Sequence, residues 1–324
     1  MKTLHALALA AFLSGTAFSA CAEQRQLPYA AAAARMAAKP AEGTGPRIVG
    51  GTLAIPGAYP FQVALVLADT PPGLEFSGFF CGGTLIGEKH ILTAAHCLMS
   101  KDGGDGVVAS DVNIYLGHTS FRGGERIAVR NLTRHPHWNA LNLSNDIAVL
   151  ELERAPSQAV RTARIALAGD GAARDDLRVI GWGALDQGAA SSRQLREVSL
   201  KRVDHKACLA GHVAYRERLA RGIVTEVATM IGWSKASEDK LIQVLNETSE
   251  PPVSDKVICA GADFGNRSPC YGDSGGPLFS EDQDGKPTQV GIVSWGISCR
   301  TRDVQGVFTD VSKYTGWIRE VTGQ

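Results

Sequence analysis

The chain has 324 residues, 44% of them hydrophobic and 20% charged, with 33 Lys and Arg balanced by 33 Asp and Glu. That composition supports one large core or two smaller ones and excludes a disordered chain. A formal net charge of zero, with no basic stripe, argues against nucleic acid or an anionic surface as the main partner.

Residues 1–20, M-K-T-L-H-A-L-A-L-A-A-F-L-S-G-T-A-F-S-A, have an early lysine, an apolar centre and small residues at the end. This is the pattern of a secretory signal, and it predicts an exported protein, secreted or periplasmic. No later stretch is long and apolar enough to span a bilayer. Residues 21–47 are alanine-rich, carry Pro28, Pro40 and Pro46, and hold almost no β-branched residues. They read as a propeptide or linker that buries little.

From Ile48 onward the pattern changes to short apolar or alternating runs separated by Gly and Asp turns, such as F-Q-V-A-L-V-L at 61–67 and Q-V-G-I-V-S-W at 289–295. The reading is all-β. The segment Cys81 to Cys97, C-G-G-T-L-I-G-E-K-H-I-L-T-A-A-H-C, ends an apolar run at His96, with a cysteine at each end able to close a loop around it. Of the eight histidines this one stands apart. Asp146, in S-N-D-I-A-V-L-E-L at 144–152, immediately precedes a run that reads as a buried strand. A carboxylate there is partly desolvated and needs hydrogen bonds or a cation, which a histidine ring can supply.

Between Cys208 and Cys259, Ala220, Ile223, Val224, Val227, Ala228 and Ile231 follow helical spacing, and Leu241, Val244 and Leu245 form a second, weaker stripe. These predict a helical insertion at about 212–250. Its stripes are expected to pack on the barrel or on each other, and a partner-binding or substrate-limiting hairpin is the sharper alternative. Cys270 to Leu278 then reads C-Y-G-D-S-G-G-P-L. Glycines admit backbone conformations that other residues resist, so the amides of Gly272 and Ser274 can converge on one spot and stabilise an oxyanion. Ser274 is the candidate nucleophile. A serine hydroxyl needs a base and a group that orients that base, and His96 and Asp146 are the candidates. Ser312 to Val321 reads as a short closing helix.

Together these segments resemble the trypsin and chymotrypsin family of serine endopeptidases, in the order His96, Asp146, Ser274. Further anchors are I-V-G-G at 48–51, V-I-G-W-G at 179–183, I-C-A-G at 258–261, V-S-W-G at 293–296 and G-V-F-T at 306–309. The resemblance runs from Ile48 to about Trp317, with the insertion as its one large interruption. It implies two six-stranded antiparallel β-barrels, at about 48–164 and 178–311, with the active site between them, a helical insertion in the second barrel and a C-terminal helix. It also implies hydrolysis of polypeptide substrates through an acyl-enzyme, with no cofactor. The same scaffold could serve a non-catalytic binding protein, but neither a triad member nor an oxyanion glycine is missing.

The family pattern pairs Cys81 with Cys97, Cys208 with Cys259, and Cys270 with Cys299. Seven cysteines leave Cys21 over. Its place directly after the apolar segment admits two readings: a lipid-anchored cysteine of a bacterial outer-membrane lipoprotein, against which Phe18 is a poor match, or ordinary cleavage after Ala22. By the resemblance, a cut after Arg47 frees the ammonium of Ile48 to pair with Asp273. The chain is then a zymogen with a separate trypsin-like activator. The resemblance further implies that Ser268 lies at the base of the specificity pocket, that Gly296 and Gly306 form its walls, and that Ser294, Trp295 and Gly296 pair with the substrate backbone. A neutral Ser268 predicts cleavage after large hydrophobic or aromatic residues; trypsin-like or narrow regulatory specificity is the alternative. No zinc spacing occurs, and Leu116 to His135 offers only Glu125 as an acid, so no metal is expected. The expected state is a monomer.

Overall fold

The β2 sequence Gln62–Leu67, Q-V-A-L-V-L, is buried on both faces, as a strand must be when it is enclosed within a barrel rather than laid on a surface. The computed structural model describes residues 28–37, 51–100, 106–167, 175–183, 191–249, 251–261, 272–281, 287–296 and 304–324. A two-residue strand β1 (Thr52–Leu53) precedes β2. It is followed by β3 (Phe79–Leu85), β4 (His90–Thr93), β5 (Val112–Leu116), β6 (Glu125–Arg134) and β7 (Ala148–Leu152). Strands β2 to β7 close in the order β2-β3-β4-β7-β6-β5, every pair antiparallel. Val63, Leu65, Ile91, Leu92, Ile114 and Leu150 fill this first barrel and are fully buried.

After β8 (Arg164–Ile165), the strands β9 (Asp176–Gly181), β10 (Arg196–Val203), β11 (Val257–Gly261), β12 (Pro277–Glu281), β13 (Pro287–Trp295) and β14 (Gly306–Asp310) form the second barrel. The ring runs β9-β10-β11-β14-β13-β12 and closes back on β9. Here β1 extends β10, and β8 lies parallel to β13. Leu177, Val179, Leu200, Ile258, Leu278 and Phe308 form its core. Two closed six-stranded barrels are the expected architecture, and closure leaves few exposed strand edges.

Aromatic rings join the two barrels. Phe61 and Phe279 lie 5.1 Å apart by ring centroid. Trp182, fully buried just after β9, meets Phe79 of β3 edge-on at 6.0 Å and stacks on His118 at 5.1 Å. At the C-terminus, a single 3-10 turn (Val311–Lys313) leads into the helix Thr315–Thr322, and Ile318 is buried against the first-barrel core.

One expectation fails at the N-terminal side. Residues 28–37 form a helix, α1 (Pro28–Ala37), in a segment expected to bury little. Ala32 is fully buried, Tyr29 and Met36 pack on the first-barrel core, and the Tyr29 ring meets Phe80 edge-on at 5.5 Å. Missing β-branched residues argue against a strand, but alanine is the best helix former. Among the described side chains, Ala32 with Tyr29 and Met36 seats the helix on the barrel.

Residues His205–Ser254 form a separate compact unit. Two helices, α2 (His205–Ile231) and α3 (Lys235–Thr248), make a hairpin. Val224 packs on Ile242, with Ile223, Leu241 and Leu245 around them, so the two stripes meet each other. The register of α3 differs from the sequence reading in one place: Ile242, not Val244, is its buried apolar residue. Ser234 caps α3 by accepting from the Ser237 amide at 3.2 Å. Arg221 to Asp239 at 2.9 Å and Thr225 to Glu238 at 3.1 Å add polar ties between the helices. Among the described residues no helix is long and apolar enough to cross a membrane.

Candidate active site

His96 lies in the 3-10 turn Ala95–Leu98 that follows β4, and Asp146 directly precedes Ile147 and β7. Because β4 and β7 pair with Thr93 opposite Ala148, the two side chains emerge at the same end of the first barrel. The His96 ring Nδ1 donates to Asp146 Oδ2 at 2.8 Å, and the His96 amide donates to Oδ1 at 2.8 Å. The acceptor is a carboxylate, so the ring carries its proton on Nδ1 and leaves Nε2 with a lone pair. The Cys81–Cys97 disulfide, with Cα atoms 6.1 Å apart, fixes the turn to β3.

Asp146 is 1% exposed. Burial pushes its carboxyl pKa up, but His96 beside it, through charge and its ring proton, together with the Ser294 hydroxyl and the His96 amide, more than offsets that. The net result is a carboxyl held below the ordinary range, so Asp146 stays ionised at neutral pH. Ser294 donates its hydroxyl to Oδ2, and Thr309 Oγ1 donates to the Asp146 backbone carbonyl at 2.8 Å. A register shift in β13 between Val293 and Trp295 lies at Ser294. Such irregularities re-aim a side chain, and here it reaches the carboxylate across the barrel junction. The family resemblance assigns Ser294 to the substrate backbone, and the sequence pattern gives no sign of this contact.

The segment Gly272 to Gly276 is a tight turn before β12. Gly272 has φ 96° and Gly275 φ 75°, both left-handed. A Cβ on Gly275 would come within 2.3 Å of Thr93 Oγ1 and 3.0 Å of Cys97 Sγ, so the turn abuts the residue next to His96. The Ser274 carbonyl accepts from the Gly82 amide at 2.8 Å, while Gly275 and Gly276 amides donate to Val293 and Asp273 carbonyls, each at 2.9 Å. These bonds fix the Ser274 backbone against β3 and β13, bringing it to the same junction as His96 and Asp146.

Asp273 is 5% exposed, and its Oδ1 accepts from the Gly183 amide at 2.8 Å. A Cβ at Gly183 would lie 2.4 Å from the Asp273 carboxyl carbon, so only glycine fits there. The second glycine of V-I-G-W-G thus has a role that no local pattern discloses.

A family model, Trypsin, matches residues 48–318. The chain belongs to the Trypsin family. It is 31% identical over 281 residues to Trypsin 5G1 of Aedes aegypti, covering 86% of this chain and 85% of that protein. To Trypsin, alkaline C of Manduca sexta it is 34% identical, covering 84% and 90%. To the proclotting enzyme of Tachypleus tridentatus it is 28% identical, covering 86% and 66%. The chain is accordingly a serine endopeptidase of the trypsin/chymotrypsin fold.

Cys208 and Cys259 are each disulfide-bonded. Ser268, the Cys270–Cys299 pair, Arg47, Ile48 and Cys21 lie outside the described residues. Trp295 is half-buried and Gly296 exposed at the end of β13; a Cβ on Gly296 would lie 3.9 Å from the Gly306 Cα, so the two glycines face each other.

Proposed function

We propose that this serine endopeptidase acts through Ser274, His96 and Asp146. His96 Nε2 takes the Ser274 hydroxyl proton as the oxygen attacks the scissile carbonyl, then returns it to the leaving amine. Asp146 holds the ring in the required tautomer and stabilises the imidazolium. The amides of Gly272 and Ser274 receive the negative charge that develops on the carbonyl oxygen. Water, activated by the same histidine, hydrolyses the acyl-enzyme. The single observation that supports this most strongly is the doubly hydrogen-bonded contact of Asp146 with His96, both distances 2.8 Å, at a carboxylate that is 1% exposed. A structural ion pair has no need of an ionised, dry carboxylate aimed at the ring next to a fixed serine turn.

Activation is read from the family resemblance: cleavage after Arg47 would free the ammonium of Ile48 to pair with Asp273, which is buried beside the nucleophile turn. The chain is then a precursor, and with no acid at the pocket base the activator is a separate trypsin-like protease. Ser268 and the facing glycines 296 and 306 favour Phe, Tyr, Trp or Leu before the cut bond. Some relatives carry the name trypsin, but a neutral serine gives arginine or lysine no counter-charge. The signal-like residues 1–20 favour export, with Cys21 either lipidated or removed, and the enzyme acts as a monomer without metal or cofactor.

The test is to treat purified precursor with trypsin, sequence the new N-terminus and profile cleavage on a peptide library. The expected result is Ile48 at the new N-terminus, activity only after the cut, and Phe, Tyr, Trp or Leu before the cleaved bond. Full activity of uncut precursor would overturn the zymogen reading, and faster cleavage after Arg or Lys would overturn the specificity.

A further inference from the structure

Asp146 sits in a short irregular segment, and the residue before it has an unusual backbone. Asn145 has φ 53°, in the left-handed region that a non-glycine residue adopts only at some cost and that asparagine tolerates best. The Ile147 amide donates back to the Asn145 carbonyl at 2.9 Å, so Asp146 is the centre of a three-residue turn. Its side-chain direction is therefore governed by how firmly Asn145 is held.

Asn145 is held from three sides. Its Nδ2 donates to the His137 carbonyl at 2.7 Å, within the loop that leads to β7. Its Oδ1 accepts from the Tyr314 hydroxyl and from Lys256 Nζ, each at 3.2 Å. Tyr314 is 3% exposed and follows the second barrel, while Lys256 immediately precedes β11. The Lys256 ammonium also stands 6.0 Å from the Tyr314 ring centroid, and the Lys256 carbonyl accepts from the Asp310 amide at 3.0 Å. His135 packs edge-on against Tyr314 and Trp317, closing the far side. One amide thus ties a first-barrel loop to the lysine that enters β11 of the second barrel and to the tyrosine that opens the C-terminal helix, next to the carboxylate that also receives Ser294 from β13.

We propose that Asn145 is a positioning residue for Asp146: its left-handed backbone and its bridge from the His137 carbonyl to Tyr314 and Lys256 lock the Asp146 carboxylate in register between the two barrels. This rests on the triad reading above. The strain in the Asn145 backbone is the kind that persists only where surrounding contacts over-determine it. Tyr314 carries the buried end of the bridge: burial first, then the nearby Asp146, Asp310 and Asp255 charges, raises its pKa, so it remains a hydroxyl donor throughout the working pH range. The titratable and charged groups facing the bridge and the carboxylate are His96, His135, His137, Lys256, Asp255 and Asp310.

The experiment uses the activated full-length enzyme with Asn145→Gly, Tyr314→Phe and, as a control, Asp146→Asn. Glycine keeps the left-handed backbone and removes only the bridge. The expected result for Asn145→Gly is a fall in kcat of about 10- to 100-fold with KM within about twofold, the signature of lost transition-state stabilisation. The acid limb of kcat/KM moves to lower pH, because a displaced carboxylate stabilises the imidazolium less. Tyr314→Phe, which leaves the other two contacts, moves both in the same direction by less. A lower melting temperature with unchanged kcat and an unchanged acid limb overturns the proposal, as does a rise in KM alone. If Asp146→Asn itself leaves kcat intact, the triad reading fails; if Asp146→Asn is crippled and Asn145→Gly is not, only the positioning proposal fails.

Discussion

Acid should destabilise this protein through His118. Its Nδ1 accepts from the Phe121 amide at 2.9 Å, so Nε2 bears the proton, and the ring lies among Tyr115, Phe121 and Trp182. Protonating Nδ1 would set two donors against each other and bury a charge among aromatic rings. Burial accordingly lowers the His118 pKa from 6.5 to about 4. An unfolded chain binds this proton below 6.5 and the folded chain only below about 4, so stability is lost as pH falls through that window and regained as it rises. At ~1.36 kcal/mol per pH unit, the window is equivalent to roughly 3 kcal/mol, a large part of a typical folding free energy. Part of the ring surface meets water, which makes this a ceiling. The assay is urea unfolding of the Ser274→Ala precursor, which cannot digest itself, at pH 7.5 and pH 4.5. His118→Asn retains an acceptor for the Phe121 amide and removes the titration. It should start less stable at pH 7.5, having lost ring packing, yet lose about 2 kcal/mol less than the histidine protein on acidification. Equal acid losses in both proteins would refute the reasoning.

Four substitutions probe the site and the N-terminal helix. Gly183→Ala sets a methyl where 2.4 Å separates it from the Asp273 carboxyl carbon; kcat on a peptide substrate should fall by about 10² or more through a displaced oxyanion turn. Ser294→Ala removes one of the three donors to Asp146 and should lower kcat by about tenfold with little change in KM, read by steady-state kinetics. Asp146→Asn should lower kcat by about 10⁴ in the same assay, because an amide in place of the carboxylate favours the wrong tautomer of the histidine. Tyr29→Ala should lower the melting temperature of the precursor, since an edge-to-face pair adds about 0.5–1.5 kcal/mol beyond the area it buries.

The barrels and the three candidate side chains are legible in sequence because each rests on local pattern. Closed barrels need short buried strands, and β2 and β13 announce themselves by composition. His96, Asp146 and Ser274 each sit in a run whose neighbours explain it. What is not legible depends on contacts between distant residues. Ser294 reaches Asp146 across 148 positions, and Tyr314 reaches Asn145 across 169. No periodicity records such contacts, and a serine at a β-strand irregularity looks like any other. The helix α1 is hidden differently: alanine alternates with nothing, so a seat made by Tyr29, Ala32 and Met36 leaves no strand-like or strongly amphipathic signature. In the insertion Val224 and Ala228 are buried as the helical stripe implies, but short stripes fix a face only to within a residue or two, hence Ile242 in place of Val244.

At the centre stands the proposal that Ser274, made reactive by His96 and Asp146, carries the acyl group. Its most direct test is intact-mass and peptide mapping after reaction of the trypsin-activated enzyme with a serine-directed phosphonate. The expected outcome is a single adduct on Ser274, formed in step with loss of peptidase activity and slowed sharply in Asp146→Asn. An adduct elsewhere, or peptide hydrolysis that survives in Ser274→Ala, would contradict that role.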